Sequence, residues 1–454
     1  MKSIQIHWFK RWVLFPAIPL LIMVAGLTVI LGELEKRNLI DTSRIDDRVA
    51  HGTPDFLRII RKNKQRCYLI DDSYMKPQVF LVEKPKDVIR ILVMGGSFAL
   101  GDPYVAPKGT QGITYLGYGG ISDWLAAILR HRFPSKKFEV INAGISSANI
   151  SAVNQAFNRL IQVDPDWVIL LSGNNEGFVP VSRYNKALQE WIVYRGLKKT
   201  ILPTHAKKDR PFFPPQVGNN LAVAQFFQEN IAQIASTAKE KRIHLVLGTL
   251  PINLKFSADF LPGFGKPLDY PKDDPNLLAG KKWQKKRKWK RAINAFTKSD
   301  NQIYAAMHIA QCFEALGDIA RAREFYRVSI EGNPRGQTRP SFNQYIRDYT
   351  KKNAILLADL EMELEKKYPD HIPEKEVFVD NCHLNWQHYF WVAMQLTQAM
   401  IDSGQLTASE GEPKPAPDLD ELIQSLGWEQ IYTHHPPIWR QPPITDASLQ
   451  EPPA

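Results

Sequence analysis

Four short runs in this 454-residue chain carry residue types that can do covalent chemistry together. Gly95-Gly96-Ser97 directly follows the apolar run Val88–Met94 (VIRILVM). A serine on a tight strand-to-helix turn projects its hydroxyl from the carboxyl edge of a sheet, where open α/β sheets hold ligands. The glycines beside it permit close backbone approach. Asp380-Asn381-Cys382-His383 lies just before a helical pattern at Trp386–Ile401. A hydroxyl nucleophile needs a base near neutral pH, which histidine supplies. The histidine in turn needs a carboxylate to fix its tautomer and stabilise the imidazolium. Ser172-Gly173-Asn174-Asn175-Glu176 follows the run Trp167–Leu171 (WVILL), and an asparagine amide there can donate to a developing oxyanion. Gly144, just past the run Phe138–Ile141, offers a backbone N–H in the same region.

Taken singly, each run has a plainer reading. Ser97 fits a structural turn or a phosphate-cradling loop, and Ala99 spoils the G-x-S-x-G elbow. Asp380 fits a helix cap with His383 at the surface, and Asn174-Asn175 fits a polar turn. The ordered set, each member placed after a strand, is what argues for one site.

The elements that must position these residues alternate. Strands are expected at Val88–Met94, Phe138–Ile141, Trp167–Leu171, Ile243–Leu247 and Ala354–Leu357. Helical spacing covers Ile121–Phe133, Asn149–Gln162, Leu221–Lys241, Ser341–Lys352 and Trp386–Ile401. Short apolar strands alternating with helices predict an α/β fold, a three-layer α/β/α sandwich around a parallel sheet of about five strands. Residues 303–334 interrupt this pattern. There Ala306, Ile309, Ala310, Phe313, Gly317, Ala322, Tyr326 and Pro334 fall where a tetratricopeptide repeat places its small, large and turn residues. One or two such hairpins cannot bury a core alone, so they are expected to pack on the main body as an insertion.

With these residues in view, the chain resembles the SGNH (GDSL-like) hydrolases, whose four blocks carry Ser, Gly, Asn and His in that order. GGSFALG (95–101) matches the first block, with Gly96 where aspartate is usual. The NAG ending at Gly144 corresponds to the second. GNNE (173–176) matches G-x-N-D with Glu176 for aspartate, and DNCH (380–383) matches D-x-x-H fully. The resemblance implies a flavodoxin-like SGNH fold and a catalytic triad of Ser97, His383 and Asp380. It further implies an oxyanion hole from the N–H groups of Ser97 and Gly144 with the side-chain amide of Asn175. The activity implied is cleavage of an acyl or acetyl ester, with no cofactor and no metal. Two other outcomes share these residues: an O-acyltransferase acting on a cell-envelope glycan, and a non-catalytic repeat scaffold.

The apolar run 12–32 carries no charge, and its 21 residues would span roughly 30 Å as a helix. It is expected to be a transmembrane anchor. The short basic tail 1–11 before it is expected to keep the body on the outer side of the cytoplasmic membrane. The remaining organisation expected is a stalk (33–87), a hydrolase domain in two parts (88–254 and 341–405), a helical repeat-like insertion (255–340) and a Pro-rich tail (406–454). A formal charge of +11 favours anionic partners, and eight of the eleven residues from Lys281 to Arg291 are basic. The expected partners are therefore an ester substrate on an envelope glycan or lipid, the membrane itself and a protein at the repeat-like insertion, but not nucleic acid. Three cysteines, Cys67, Cys312 and Cys382, are too few and too scattered for a disulfide framework or a zinc site.

Overall fold

The computed structural model describes residues 23–31, 33, 57–71, 75–105, 116–176, 221–256, 273–332, 336–406 and 412–433. The chain divides into two compact units, 1–50 with 180–211, and 51–179 with 212–454. Of the first unit, only residues 23–31 and 33 are described, and they are helical. The expected transmembrane anchor, and with it the placement of the body on the outer side of the cytoplasmic membrane, is not borne out. No helix among the described residues is long and apolar enough to cross a membrane, and most of the expected span lies outside the described residues.

The second unit opens with three antiparallel strands, β1 (Leu57–Lys62), β2 (Gln65–Ile70) and β3 (Gln78–Leu81). The segment expected to be an irregular stalk thus contains a small sheet. Asn63 and Lys64, both with φ above zero, make the two-residue turn between β1 and β2. The main sheet follows: β4 (Val88–Gly95), β5 (Lys137–Gly144), β6 (Trp167–Leu171), β7 (His244–Gly248) and β8 (Leu356–Ala358). All five are parallel, in the order β5-β4-β6-β7-β8. β4 and β6 are buried nearly throughout, as a strand covered on both faces must be.

Helix α1 (Ser97–Leu100) follows β4, then α2 (Ile121–Arg132) leads to β5, α3 (Ile150–Leu160) to β6 and α4 (Leu221–Glu240) to β7. Between β7 and β8 come α5 (Pro275–Lys285), α6 (Trp289–Phe296), α7 (Gln302–Ala315), α8 (Ile319–Gly332) and α9 (Pro340–Asn353). After β8 come α10 (Leu360–Lys367), α11 (Trp386–Asp402) and α12 (Leu419–Leu426). Helices α2 and α11 pack together on one face of the sheet, while α3, α4 and α9 pack in series on the other. This is the α/β/α sandwich expected, in the doubly wound order that reverses beside the first strand. The reversal leaves a crevice beyond the carboxyl ends of β4 and β6, and the runs containing Ser97 and Asn175 emerge there.

Two further packings fix the frame. The Gln78 side-chain amide bonds both the N–H and the C=O of Asn142 at 2.8 Å, stitching β3 to the edge of β5. Arg90 on β4 is fully buried, paired with Glu139 at 2.5 Å and donating to the carbonyls of Val163 and Leu81. Helices α5–α8 have their own apolar cluster, which takes in Ile252, Leu254 and Ile372 from segments flanking the α/β layers.

Candidate active site

Gly95 ends β4 with φ +153°, and a Cβ built there would lie 1.9 Å from the carbonyl oxygen of Leu171 on β6. No other residue type fits that approach. The chain then turns through Gly96 into α1, so Ser97 occupies the first helical position, almost wholly buried. An N–H at that position has no intrahelical acceptor and stays available for another partner.

The opposing wall is the turn 380–383. Its stem is an antiparallel bridge between Phe378 and Leu384, with hydrogen bonds from Val379 N–H to His383 C=O (3.0 Å) and from Asn385 N–H to Val377 C=O (2.8 Å). Val377, Phe378 and Leu384 are buried in the main core. Asn385, not Asp380, caps helix α11, its side chain accepting from His388 N–H. Asp380 is instead turned inward. Its Oδ1 accepts from the N–H groups of Cys382 (2.8 Å) and His383 (2.7 Å), and its Oδ2 meets His383 Nδ1 at 2.6 Å. On the other side of the ring, His383 Nε2 lies 2.7 Å from Ser97 Oγ. With Nδ1 facing a carboxylate, the ring proton sits on Nδ1, so Nε2 accepts and the Ser97 hydroxyl donates.

The electrostatics follow from burial. Desolvation pushes Asp380 up, but the His383 charge and the N–H donors around the carboxylate outweigh it and hold Asp380 below its usual value. Desolvation likewise pushes His383 down, and the adjacent Asp380 charge overcomes this to hold it well above 6.5. Burial raises the Cys382 thiol. Glu176 is buried and its carboxyl is pushed up to about 8 by desolvation, although it accepts from Ile150 N–H at the start of α3.

The remaining expected residues divide. Asn175 Nδ2 donates to the Ala148 carbonyl at 2.9 Å, leaving its second N–H for another acceptor, and a Cβ on Gly96 would stand 2.8 Å from this nitrogen. Asn175 is therefore at the nucleophile turn. Asn174 is structural: its buried Oδ1 accepts from Thr338 N–H at 2.8 Å. Gly144 is not arranged for the role expected of it. Its N–H is already donated to Asn142 Oδ1 at 3.1 Å, in a buried position packed against Leu100. The turn that follows reaches the Ser97 turn through the Ala148 carbonyl, which would stand 3.2 Å from a Cβ on Gly96. Ser147 is exposed, has φ +58°, and its N–H makes no hydrogen bond among the described residues.

Sequence spacing gave no sign of the residues that brace the 380–383 turn. Asn253 Nδ2 donates to the Asp380 carbonyl at 2.9 Å, and Gln337 bonds the Asn253 backbone on both sides (2.7 and 3.2 Å). Asn381 Nδ2 donates to Gly336 C=O at 2.8 Å. All three cysteines are free, buried thiols.

No family model matches the chain, and no curated protein matches it. Among solved structures it is similar to an alpha/beta hydrolase enzyme from the metagenome of Lake Arreo, Spain, at 13% identity and a TM-score of 0.34, covering 68% of this chain and 94% of that one. An acetyl-xylooligosaccharide esterase from Geobacillus stearothermophilus is similar at 12% identity and a TM-score of 0.34, covering 69% and 93%. A GDSL-like lipase from Bacteroides thetaiotaomicron is similar at 13% identity and a TM-score of 0.29, covering 69% and 88%.

Proposed function

We propose that this chain is a serine ester hydrolase of the SGNH type, with Ser97 as nucleophile, His383 as general base and Asp380 as the residue that orients the base. The observation that carries the reading is the unbroken relay Ser97 Oγ–His383 Nε2 (2.7 Å) and His383 Nδ1–Asp380 Oδ2 (2.6 Å), joining residues 286 positions apart. In this reading Ser97 attacks the ester carbonyl as its proton passes to His383 Nε2. Asp380 keeps Nδ1 protonated and stabilises the imidazolium. The tetrahedral oxyanion takes the Ser97 N–H and the remaining Asn175 N–H, with Ser147 N–H as the third donor in place of Gly144. His383 then returns the proton to the leaving alcohol, and water repeats the sequence on the acyl-enzyme.

Residues 88–254 and 341–405 make up the hydrolase domain in this assignment. The helices between 255 and 340 are a tetratricopeptide-like insertion, supported by Gly280 packed against Phe296 and by buried Ala306, Ala310, Ala322 and Tyr326 at the expected small and large positions. The test is labelling with a serine-reactive phosphonate together with hydrolysis of a panel of acyl and acetyl esters. Wild type should label at Ser97 and turn over at least one ester. Ser97→Ala should do neither while keeping its circular dichroism. An unlabelled, inactive wild type sinks the reading.

A further inference from the structure

Three consecutive residues tie the two walls of the candidate site to one another. Gly336, Gln337 and Thr338 lie just before α9, where the chain returns from α8 to the α/β layers. The Gly336 carbonyl accepts from Asn381 Nδ2 (2.8 Å), inside the 380–383 turn. Gln337 holds Asn253 by both backbone groups: its Oε1 accepts from the N–H (2.7 Å) and its Nε2 donates to the C=O (3.2 Å). Asn253 Nδ2 in turn donates to the Asp380 carbonyl at 2.9 Å. The Thr338 N–H serves the nucleophile side, donating at 2.8 Å to Oδ1 of Asn174, the neighbour of Asn175. Gly173 makes room for that contact, since a Cβ there would stand 2.6 Å from Thr338 Oγ1. Glu331 at the end of α8 closes the loop, its carboxylate accepting from the Ser341 N–H (2.9 Å) and hydroxyl (2.8 Å). Asn253, Gln337 and Thr338 are buried almost completely, so water does not compete for these bonds. Thr338 Oγ1, Asn174 Nδ2 and Asn253 Oδ1 are buried with no hydrogen-bond partner among the described residues, which costs stability. Local rules broken in this way are expected where a segment serves function.

We propose that the strap Gly336–Thr338 sets the 380–383 turn and the 173–176 turn in register with each other, with Gln337, Asn253 and Asn174 as positioning residues for the reaction proposed above. None of the three touches the reacting atoms. Gln337 fixes the Asn253 backbone, Asn253 fixes the turn that carries the base, and Asn174 fixes the turn that carries the Asn175 amide. The helices between β7 and β8 are thereby coupled to catalysis, because the segment by which they rejoin the sheet is the one that aligns base and oxyanion donor. A displacement of about 1 Å between such groups can cost about 10²-fold in rate. The catalytic consequence rests on the hydrolase reading; the joint anchoring of the two turns does not.

Amide hydrogen exchange of the full chain, read by mass spectrometry, tests the anchoring. Gln337→Ala should speed exchange in peptides spanning 172–176 and 377–384 together, while those of α2 keep the wild-type rate. Gln337→Glu keeps the size and the Oε1 acceptor but sets a carboxylate oxygen against the Asn253 carbonyl. It should show the same pattern, and it decides the matter if the alanine variant does not fold. In ester hydrolysis both variants should lose kcat by about 10²-fold with KM within about twofold, the pattern of lost alignment and not of lost binding. The two arms should separate by pH. Asn253→Ala loosens Asp380 from His383, so the acid limb of kcat/KM should move to lower pH as kcat falls. Asn174→Ala should lower kcat and leave that limb in place. Faster exchange in neither turn, in one alone or across the whole chain overturns the joint anchoring. Wild-type kcat in both Gln337 variants, or an unmoved limb in Asn253→Ala, overturns the positioning role. If wild type hydrolyses nothing, the hydrolase reading falls on its own, and the exchange rates still decide the anchoring.

Discussion

At the scale of single residues, the proposed base His383 and its partner Asp380 predict a measurable pH dependence. A general base must be neutral in the free enzyme to accept the Ser97 proton, so activity grows as pH rises through the His383 pKa. The Asp380 charge holds that pKa well above 6.5 against the opposing effect of burial. The acid limb of kcat/KM is therefore expected with its midpoint above 6.5. Asp380→Asn removes the largest effect that opposes burial, so the limb should move to lower pH. The rate at its plateau should fall by roughly 10³–10⁴-fold, the scale such changes reach in serine-protease triads. An unmoved limb in the Asn variant would show that another group sets it. Ser97, Asp380 and His383, whose side chains meet in the structure, were suggested as candidates by residue type and order alone. Gly144 was misread because no sequence pattern reveals that Asn142 has already taken its N–H. Asn253 and Gln337 were invisible for a similar reason: amides that brace a distant turn have no characteristic spacing.

At the scale of elements, the nucleophile turn depends on what its glycines omit. A methyl group on Gly96 would meet Asn175 Nδ2 at 2.8 Å and the Ala148 carbonyl at 3.2 Å. Gly96 φ is −80°, which alanine adopts freely, so the conflict is with the asparagine and not with the backbone. Gly96→Ala should therefore displace the Asn175 amide and lower kcat by about 10²-fold, the scale of losing one oxyanion donor, with little change in melting temperature. Steady-state kinetics beside a thermal melt separate this from misfolding. The five strands of the main sheet were read from sequence to within two or three residues at most ends, since each contains a short apolar run, and the central strands are buried on both faces. The small sheet β1–β3 escaped. β1 has exposed residues along both faces, so it shows no alternation, and its turn is Asn-Lys where Asn-Gly would have signalled it.

For the molecule as a whole, the described segment 412–433 is part of the core of the second unit. Leu422, Ile423 and Ile431 are buried in the main apolar cluster, and Trp428 stacks on Tyr118 at 4.7 Å and meets Trp124 edge-on at 5.0 Å. Composition there is dominated by prolines and acids and suggested no more than a Pro-rich tail; the few apolar side chains that dock are too sparse to show a pattern. Ile423→Ala should cost about 2–5 kcal/mol, seen as a lower denaturant midpoint, because it empties a site with no exposed surface. A change of less than 1 kcal/mol would mean that the segment is only loosely attached.

The separation of 286 positions between Ser97 and His383 has a temporal meaning as well as a spatial one. During synthesis the serine is made early and then waits while four strands, the helical insertion and the α9–β8 connection are added. Long-range closures of this kind come late in folding, after the intervening chain has collapsed. A nascent or truncated chain therefore carries a hydroxyl of ordinary reactivity, and nucleophilic power arrives only when the distant turn docks. In the proposed reading, reactivity at Ser97 becomes a readout of completed folding, and a chain that ends before residue 380 carries the serine without its base.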